Sequence, residues 1–169
     1  MKFLKAKSSL QMKIRNIESK DNKVMAKIIR DSLEEFNAAK PGTVYYDETT
    51  DRLAEIFSEP RSAYFVIQTE SEIAGGAGIF PTAGLPEDTC EWVKMYVENK
   101  YRGNGYGQTL LNKCFEQARK EGYKKMYIES MPELKNALGM YEKNGFEYIP
   151  KPLGNSGHTG CDLFMLKEL

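Results

Sequence analysis

A turn with three closely spaced glycines, between an apolar strand and a long amphipathic helix, constrains this sequence more than any other feature. Gly103, Gly105 and Gly107 follow the apolar run 92–97, and the segment 105–120 then carries apolar residues at helical spacing. Backbone N–H groups at the start of a helix have no intrahelical partner and carry the positive end of the helix dipole. Glycines let an anion approach these groups closely. The sequence therefore predicts an anion-binding turn suited to a phosphate or pyrophosphate.

Two familiar phosphate motifs do not fit this turn. A P-loop requires a lysine and then a serine or threonine after its last glycine, but Gln108 and Thr109 follow Gly107. A dinucleotide-binding turn would need a third glycine at Gln108 and should follow the first strand of a βαβ unit. The remaining pattern is R-x-x-G-x-G, in which Arg102 adds a fixed positive charge. The alternative is that the glycines only tighten a turn from strand to helix.

The hydrophobic pattern predicts an α/β domain with a mixed sheet. Alternation and helical spacing give the element order β-α-α-β-β-β-α-β-α-β-β. Long helices between strands require parallel neighbours and tight turns require antiparallel ones, so the sheet should contain both. The predicted strands cover residues 13–17, 63–69, 73–80, 92–97, 125–129, 146–149 and 162–167, and the predicted helices cover 21–36, 48–58, 105–120 and 134–143.

Composition argues against several classes of function. Lys plus Arg and Asp plus Glu both total 24, so there is no net charge to hold a nucleic acid. Three cysteines are too few and too scattered for a disulfide framework, and no apolar run is long enough for a membrane helix. We therefore expect a cytoplasmic protein without a nucleic-acid or membrane partner. Residues 1–11 are expected to form a flexible extension, and residues 12–169 a single domain.

A second motif lies one strand downstream of the glycine turn. Ala137, Tyr141, Gly145 and Phe146 form the pattern A-x-x-x-Y-x-x-x-G-F. Together with R-x-x-G-x-G and the order of elements, this pattern resembles the acetyl-CoA-binding region of the GNAT superfamily, the GCN5-related N-acetyltransferases, and the resemblance extends over residues 13–167. It implies an α/β GNAT fold, with a mixed, mostly antiparallel sheet that is flanked by helices and splayed between its fourth and fifth strands.

The resemblance also implies the cosubstrate and its binding residues. Acetyl-CoA would lie in the cleft between the splayed strands, with its pantetheine arm paired to the backbone of the fourth strand and its pyrophosphate on the amides of the turn. Leu134 stands where many members have an asparagine, so the usual asparagine contact should differ here. The implied cofactor-binding residues are Met95, Tyr96, Val97, Arg102, Gly103, Asn104, Gly105, Tyr106, Gly107 and Asn136.

Several side chains are candidates for acid–base catalysis. In the family, a tyrosine at the position of Tyr141 commonly protonates the departing CoA thiolate, a role that suits a phenol; the alternative is that it only packs on its helix. The attacking amine must lose a proton, and Glu91 at the head of the fourth strand is the first candidate for the base, unless it is only an exposed charge at a strand end. Glu129 on the neighbouring strand is the alternative base, and Lys94 and Tyr96 would face the same cleft.

The single histidine, His158, lies in a polar loop before the last strand, punctuated by glycines. A titrating base would suit such a loop, although an ordinary surface histidine is the simpler interpretation. With Cys161 it offers only two ligands, too few for a zinc site, so no metal is expected.

The resulting prediction is direct transfer of an acetyl group from acetyl-CoA to an amine in a ternary complex, without a metal or a covalent enzyme intermediate. A homodimer is left open. The alternatives are an acyl-CoA-binding sensor without turnover and an acyltransferase that uses a longer acyl chain. The sequence does not identify the acceptor: small amines, amino acids, aminoglycosides, polyamines and protein N-termini all stay open.

Overall fold

The computed structural model of the protein describes residues 11–169, so residues 1–10, most of the predicted flexible extension, lie outside the described residues. None of the described helices is long and apolar enough to cross a membrane. The helices and strands are β1 Lys13–Asn16, α1 Asn22–Glu35, α2 Leu53–Ile56, β2 Ala63–Gln68, β3 Ile73–Phe80, β4 Thr89–Val97, α3 Tyr106–Lys120, β5 Lys125–Ser130, α4 Lys135–Lys143, β6 Glu147–Ile149 and β7 Leu163–Glu168, with short 3₁₀ turns at Ser19–Asp21, Glu48–Asp51 and Asn99–Tyr101.

The seven strands form one sheet in the order β1-β2-β3-β4-β5-β7-β6. Strands β4 and β5 are parallel, because α3 carries the chain back across the sheet between them, and the other neighbours are antiparallel. The predicted fold class and element order are confirmed: a mixed, mostly antiparallel sheet flanked by helices.

Helices cover both faces of this sheet. Helices α3 and α4 pack on one face, where Trp92, Leu110 and Tyr141 belong to one core cluster. Helices α1 and α2 pack on the other face, around Leu33 and Val93. Neighbouring residues of a strand point to opposite faces, so Trp92 and Val93 of β4 reach different cores. Strand β4 therefore supplies side chains to both sides of the molecule.

Strand β4 separates from β5 partway along its length. The parallel pairing ends at Glu91 and Tyr127. A β-bulge follows at Lys94, which has a φ of +51° and lies where β4 has one residue more than β3. The hydroxyl of the buried Tyr64 donates to the Lys94 carbonyl at 2.7 Å and so satisfies a group at the disrupted ladder. Beyond Glu91 the two strands diverge, as the resemblance implied.

Two element boundaries differ from the prediction. Strand β4 begins three residues earlier than expected, because Thr89 and Glu91 pair with β5 although their polar side chains do not look like part of a buried strand. Glu91 therefore lies inside β4 and not at its head. The predicted helix 48–58 is divided into a 3₁₀ turn and the short α2, because Arg52 has a φ of −142°, outside the helical range.

Candidate active site

A cavity of about 370 Å³ occupies the gap between β4 and β5. Lys94, Glu129 and His158 line it together with most of the other predicted site residues. Asn104 is the exception, because its exposed side chain donates to the Tyr101 carbonyl at 2.9 Å and does not reach the cavity. The predicted residues that line the cavity are Glu91, Met95, Tyr96, Val97, Arg102, Gly103, Gly105, Tyr106, Gly107, Asn136 and Tyr141.

The glycine turn forms one end of the cavity. Gly103 and Gly105 have φ values of +79° and +78°, which glycine adopts without strain. Beyond the chain neighbours, no described atom lies within 4 Å of the place where either residue would carry a Cβ, so the backbone is open on this side. Helix α3 begins at Tyr106, and the N–H groups of its first turn have no intrahelical partner. The turn therefore presents free backbone donors and the positive end of a helix dipole.

The Arg102 side chain binds α1 and does not offer a free charge to the open side of the turn. Its Nη1 lies 2.9 Å from both carboxylate oxygens of Glu35. Its Nη2 donates to the Ser32 hydroxyl at 3.1 Å, and its Nε donates to the Val97 carbonyl at 2.9 Å. The positive charge that the sequence suggested for the anion site is thus paired with Glu35. Arg102 contributes to the turn by fixing it against α1.

Tyr141 lines the cavity from α4. It is 6% exposed, and its ring packs edge-on against Trp92 at a centroid distance of 5.3 Å. Burial raises the pKa of its hydroxyl above the usual value, and no described residue accepts a hydrogen bond from it. Reciprocal amide hydrogen bonds of 2.8 Å between Gln108 and Asn144 hold α4 against α3. The Tyr141 ring is therefore held by packing, and its hydroxyl has no partner among the described residues.

Tyr96 on β4 is a second tyrosine in the same cavity. Burial, and then the nearby Tyr141, raise the pKa of its hydroxyl as well. Both phenols could donate a proton, so the geometry alone does not choose between them. Only the A-x-x-x-Y-x-x-x-G-F motif favours Tyr141.

Glu91 lies inside β4, in the half of the strand away from the glycine turn. It is 3% exposed; the Thr82 hydroxyl donates to its Oε2 at 2.5 Å, and its Oε1 has no partner among the described residues. Burial raises the pKa of Glu91 to about 7, against the effect of the Thr82 bond and with a further contribution from the charge of Glu129. A carboxyl that titrates near neutral pH is suited to act as a general base.

Asp47, from the loop between α1 and α2, joins the site although the sequence did not single it out. Its Oδ2 lies 2.9 Å from Nε2 of His158 and 3.2 Å from Nζ of Lys94. The bond to His158 and the charge of Lys94 lower the pKa of Asp47 well below its usual value. Burial lowers the pKa of Lys94, which is 8% exposed. In the sequence, Asp47 looks only like a helix-capping residue. The structure shows that contact too, because the Asp47 side chain accepts a hydrogen bond from the backbone N–H of Thr49.

Glu129, the alternative base, lines the cavity from β5. It accepts hydrogen bonds from the Tyr127 hydroxyl at 2.9 Å and from the Ser156 hydroxyl. The Tyr127 hydroxyl in turn accepts from the backbone N–H of Leu153 at 3.0 Å. The loop between β6 and β7, which carries His158, is therefore tied to β5 at two points.

Glu91, Glu129 and His158 form a three-residue cluster in the cavity. One ligating atom of each lies no farther than 4.8 Å from those of the other two. Divalent metal ions bind two carboxylates and an imidazole. A cation is therefore the expected ligand of such a cluster. We use the term acidic cluster for these three residues. The structure thus unites three groups that the sequence suggested separately as bases.

Known proteins share this architecture. A family model described as the acetyltransferase (GNAT) family matches residues 26–146. The uncharacterized N-acetyltransferase YjgM of Escherichia coli is 39% identical over 157 residues, which cover 92% of this chain and 94% of that protein.

Solved structures show the same fold at lower identity. A GNAT-family acetyltransferase from Staphylococcus aureus superposes with a TM-score of 0.81 at 17% identity, over 94% of this chain and 99% of the other. The PaiA N-acetyltransferase of Thermoplasma acidophilum, solved in complex with coenzyme A, gives 0.74 at 17% identity over the same shares. The family match, the relative from Escherichia coli and the shared fold all agree with the resemblance that the two motifs carried: this chain belongs to the GNAT family of acetyltransferases.

Proposed function

We propose that this protein transfers an acetyl group from acetyl-CoA directly to an amine. The observation that carries the proposal is a single cavity in which the glycine turn, the Tyr141 hydroxyl and the Glu91 carboxyl all take part. Direct transfer needs both substrates in one space, with an acid beside the leaving group and a base beside the nucleophile. The coenzyme A bound to the PaiA protein of the same fold supports this choice of donor.

The donor would bind mainly through the backbone. Its pyrophosphate would accept from the N–H groups of the turn 102–107, where the open glycines permit close approach. Its pantetheine arm would pair with β4 at Met95 to Val97, where β5 no longer pairs. Asn136 on α4 lines the same cavity, and its side chain is a candidate for a contact with the donor. We infer no role for the Asn104 side chain.

Groups at the two ends of the cavity would catalyse the transfer. Glu91 accepts a proton from the acceptor ammonium, and the neutral amine attacks the thioester carbonyl carbon. As the N–C bond forms and the C–S bond breaks, Tyr141 gives its proton to the departing sulfur. The surplus proton of the amide product returns through solvent to Tyr141, and Glu91 releases the proton that it took from the ammonium to solvent. A phenol whose pKa is raised by burial stays protonated until the thiolate forms, which suits this role.

Initial-rate kinetics with acetyl-CoA and a broad amine panel, read as released CoA thiol, test the proposal. Direct transfer predicts intersecting double-reciprocal lines when both substrates are varied. Incubation with radiolabelled acetyl-CoA alone should leave no label on the protein. Labelled protein with parallel lines would indicate a covalent intermediate, and tight acetyl-CoA binding without turnover of any acceptor would indicate a sensor.

A further inference from the structure

The spacing of the acidic cluster fits an ammonium group. A primary ammonium donates three tetrahedrally arranged hydrogen bonds of about 2.9 Å, which places its acceptors about 4.7 Å apart. One ligating atom each of Glu91, Glu129 and His158 lies within 4.8 Å of those of the other two. Ligands of a tetrahedral zinc ion, at about 2.1 Å from the metal, lie only about 3.4 Å apart. A limit of 4.8 Å accommodates the three acceptors of one ammonium group, and zinc, which would hold its ligands closer together, is tested below as the alternative occupant.

The charges at the cluster also call for a cation. Lys94, the buried cation of this region, contacts Asp47 at 3.2 Å. Neither Glu91 nor Glu129 forms an ion pair with any residue that the structure describes. The Oε1 atom of Glu91, a side chain only 3% exposed, has no described partner. A buried carboxylate without a counter-ion is costly, and a bound ammonium would remove that cost.

A second group orients each member of the cluster. Thr82 donates to Glu91, and Tyr127 and Ser156 donate to Glu129. Asp47 contacts Nε2 of His158 at 2.9 Å, which leaves Nδ1 as the nitrogen with a lone pair when the ring is neutral. Glu91 and Glu129, and His158 in the neutral tautomer with its proton on Nε2, each offer an acceptor atom and are each held by a second group, as a site for one donor group requires.

The loops beside the acceptor end of the cavity contact one another closely, partly through glycines. The Gly160 N–H donates to the Gly42 carbonyl at 2.9 Å, and a Cβ on Gly160 would stand 2.6 Å from the Pro41 carbonyl oxygen. The Asn155 N–H donates to the Ala83 carbonyl at 2.6 Å. These contacts join the loops after α1, β3 and β6. A cavity of about 370 Å³ that also has to admit the acyl group leaves room for a small acceptor beside these loops.

We propose that the acceptor is a small primary amine whose ammonium group is held by Glu91, Glu129 and His158. This rests on the proposed function and narrows it, because a polypeptide N-terminus would have to thread between the joined loops. Binding as an ammonium explains how the cluster selects the amine before it removes a proton. Rotation about the C–N bond of the acceptor then turns the freed lone pair toward the thioester.

Methylammonium and tetramethylammonium are matched probes for the cluster, since both carry one positive charge but only the first has N–H donors. Calorimetry should show methylammonium binding at least tenfold more tightly. Glu129→Gln and His158→Asn should each weaken methylammonium binding at least tenfold, whereas Glu59→Gln, which changes an exposed carboxylate outside the cavity, should not. Equal binding of both probes, or unchanged binding in the cluster variants, overturns the proposal.

The pH dependence of methylammonium binding gives an independent signature. A proton on Glu91, whose pKa burial raises to about 7, competes with the ammonium, so affinity should rise between pH 6 and pH 8 and binding should release a proton. Thr82, Glu129, His158 and Lys94 all influence this titration. Micromolar binding of Zn²⁺ that disappears in the same variants, with no methylammonium binding, would instead make the cluster a metal site.

Acceptor size is tested with pairs that share one amino group. Alaninamide and glycinamide should be acetylated with a kcat/KM at least a hundredfold above hexapeptides that begin with the same residue. Equal or better turnover of the hexapeptides overturns this inference and leaves the acetyltransferase proposal intact. Methylammonium binding with no turnover of any amine or peptide, in protein that binds acetyl-CoA, contradicts the proposed function and leaves the ammonium site standing.

Discussion

The two ends of the cavity are built in opposite ways. The cofactor end consists largely of backbone: the glycine turn, the start of α3 and the unpaired edge of β4, all within residues 92–107. The acceptor end consists of titratable side chains from four separate segments: the buried Glu91 and the half-buried Asp47, Glu129 and His158. A backbone site needs glycines at fixed spacing and so leaves a motif, whereas a side-chain site exists only after the chain has folded.

The energetics differ as well. At the cofactor end the free N–H groups face an open space, where water can satisfy them when no anion is bound. At the acceptor end, Glu91 is held in a place that raises its pKa to about 7, because burial disfavours the ionised form. Substitutions at the acceptor end should therefore change pH dependence, and substitutions at the cofactor end should change acetyl-CoA affinity. The predictions below test this division, beginning with the largest effect.

Glu91→Gln should lower kcat/KM at neutral pH by about 10²–10⁴-fold, the usual contribution of a general base. The wild-type activity should fall as pH drops through about 7, because Glu91 acts as a base only when it is deprotonated. The variant should lose that limb and recover toward wild type at high pH, where the amine deprotonates by itself. Complete pH–rate profiles with one acceptor measure this.

Glu129→Gln is the comparison variant for this experiment. If Glu91→Gln keeps the wild-type profile while Glu129→Gln loses its acid limb, the base is Glu129. Calorimetry should show unchanged acetyl-CoA affinity for both variants. A large loss of acetyl-CoA affinity in either one would contradict the division between the two ends.

Tyr141→Phe should lower kcat by about 10²–10³-fold and leave acetyl-CoA affinity almost unchanged, because the hydroxyl acts on the leaving group. Tyr96→Phe is the matched control, since it removes another phenol of the cavity whose pKa burial raises. Single-turnover kinetics isolate the chemical step. A larger loss in Tyr96→Phe than in Tyr141→Phe would transfer the role of the acid to β4.

The sequence predicted the fold well because its patterns are local. The strand 73–80 agrees with β3 residue for residue, and α3 was placed within one residue, because alternation and helical spacing are legible in short windows. Strand β4 was predicted too short, because Thr89 and Glu91 are polar residues buried by tertiary pairing. The split at Arg52 left no clear signal in the surrounding helical pattern.

The candidate site was only partly predictable, for the same reason. The motif predicted the turn. The pairing of Arg102 with Glu35, however, joins residues 67 positions apart, and no local sequence pattern predicts such a contact. Asp47 resembles an ordinary capping residue, and its contact with His158 spans 111 positions. Glu91, Glu129 and His158 were each considered as a base, yet their meeting in one cluster depends on the parallel pairing of β4 with β5 and on the loop tied to Tyr127.

Gly105→Val should weaken acetyl-CoA binding by more than tenfold, which corresponds to about 1.4 kcal/mol. The new side chain would project into the open space in which we place the pyrophosphate. Gly122→Val is the matched control at the other end of α3: Gly122 also has a positive φ, +86°, and its Cβ position is equally open. Both variants should lose similar stability, about 1–2 kcal/mol for a left-handed conformation. Equal acetyl-CoA affinity in the two folded variants would contradict the assigned anion site.

The smallest effect concerns Arg102, whose role at the cofactor end should be indirect. The Arg102–Glu35 pair is partly exposed, with side chains 27% and 39% accessible, and exposed pairs contribute at most about 1 kcal/mol. Arg102→Gln and Glu35→Gln should therefore each raise the acetyl-CoA Kd by about fivefold or less, the factor that 1 kcal/mol represents.

The double variant separates support of the turn from direct contact with the anion. If both residues act only by holding the turn against α1, the double variant should bind acetyl-CoA no more weakly than either single variant, since the pair is already broken in each. If the Arg102 guanidinium instead leaves Glu35 and binds the pyrophosphate, the two single variants should change acetyl-CoA affinity in opposite directions. Glu35→Gln would then tighten binding, because it frees Arg102, while Arg102→Gln would weaken binding more than tenfold and in a salt-dependent way. The sign of the Glu35→Gln effect therefore decides whether the cofactor end, unlike the acceptor end, works without a charged side chain.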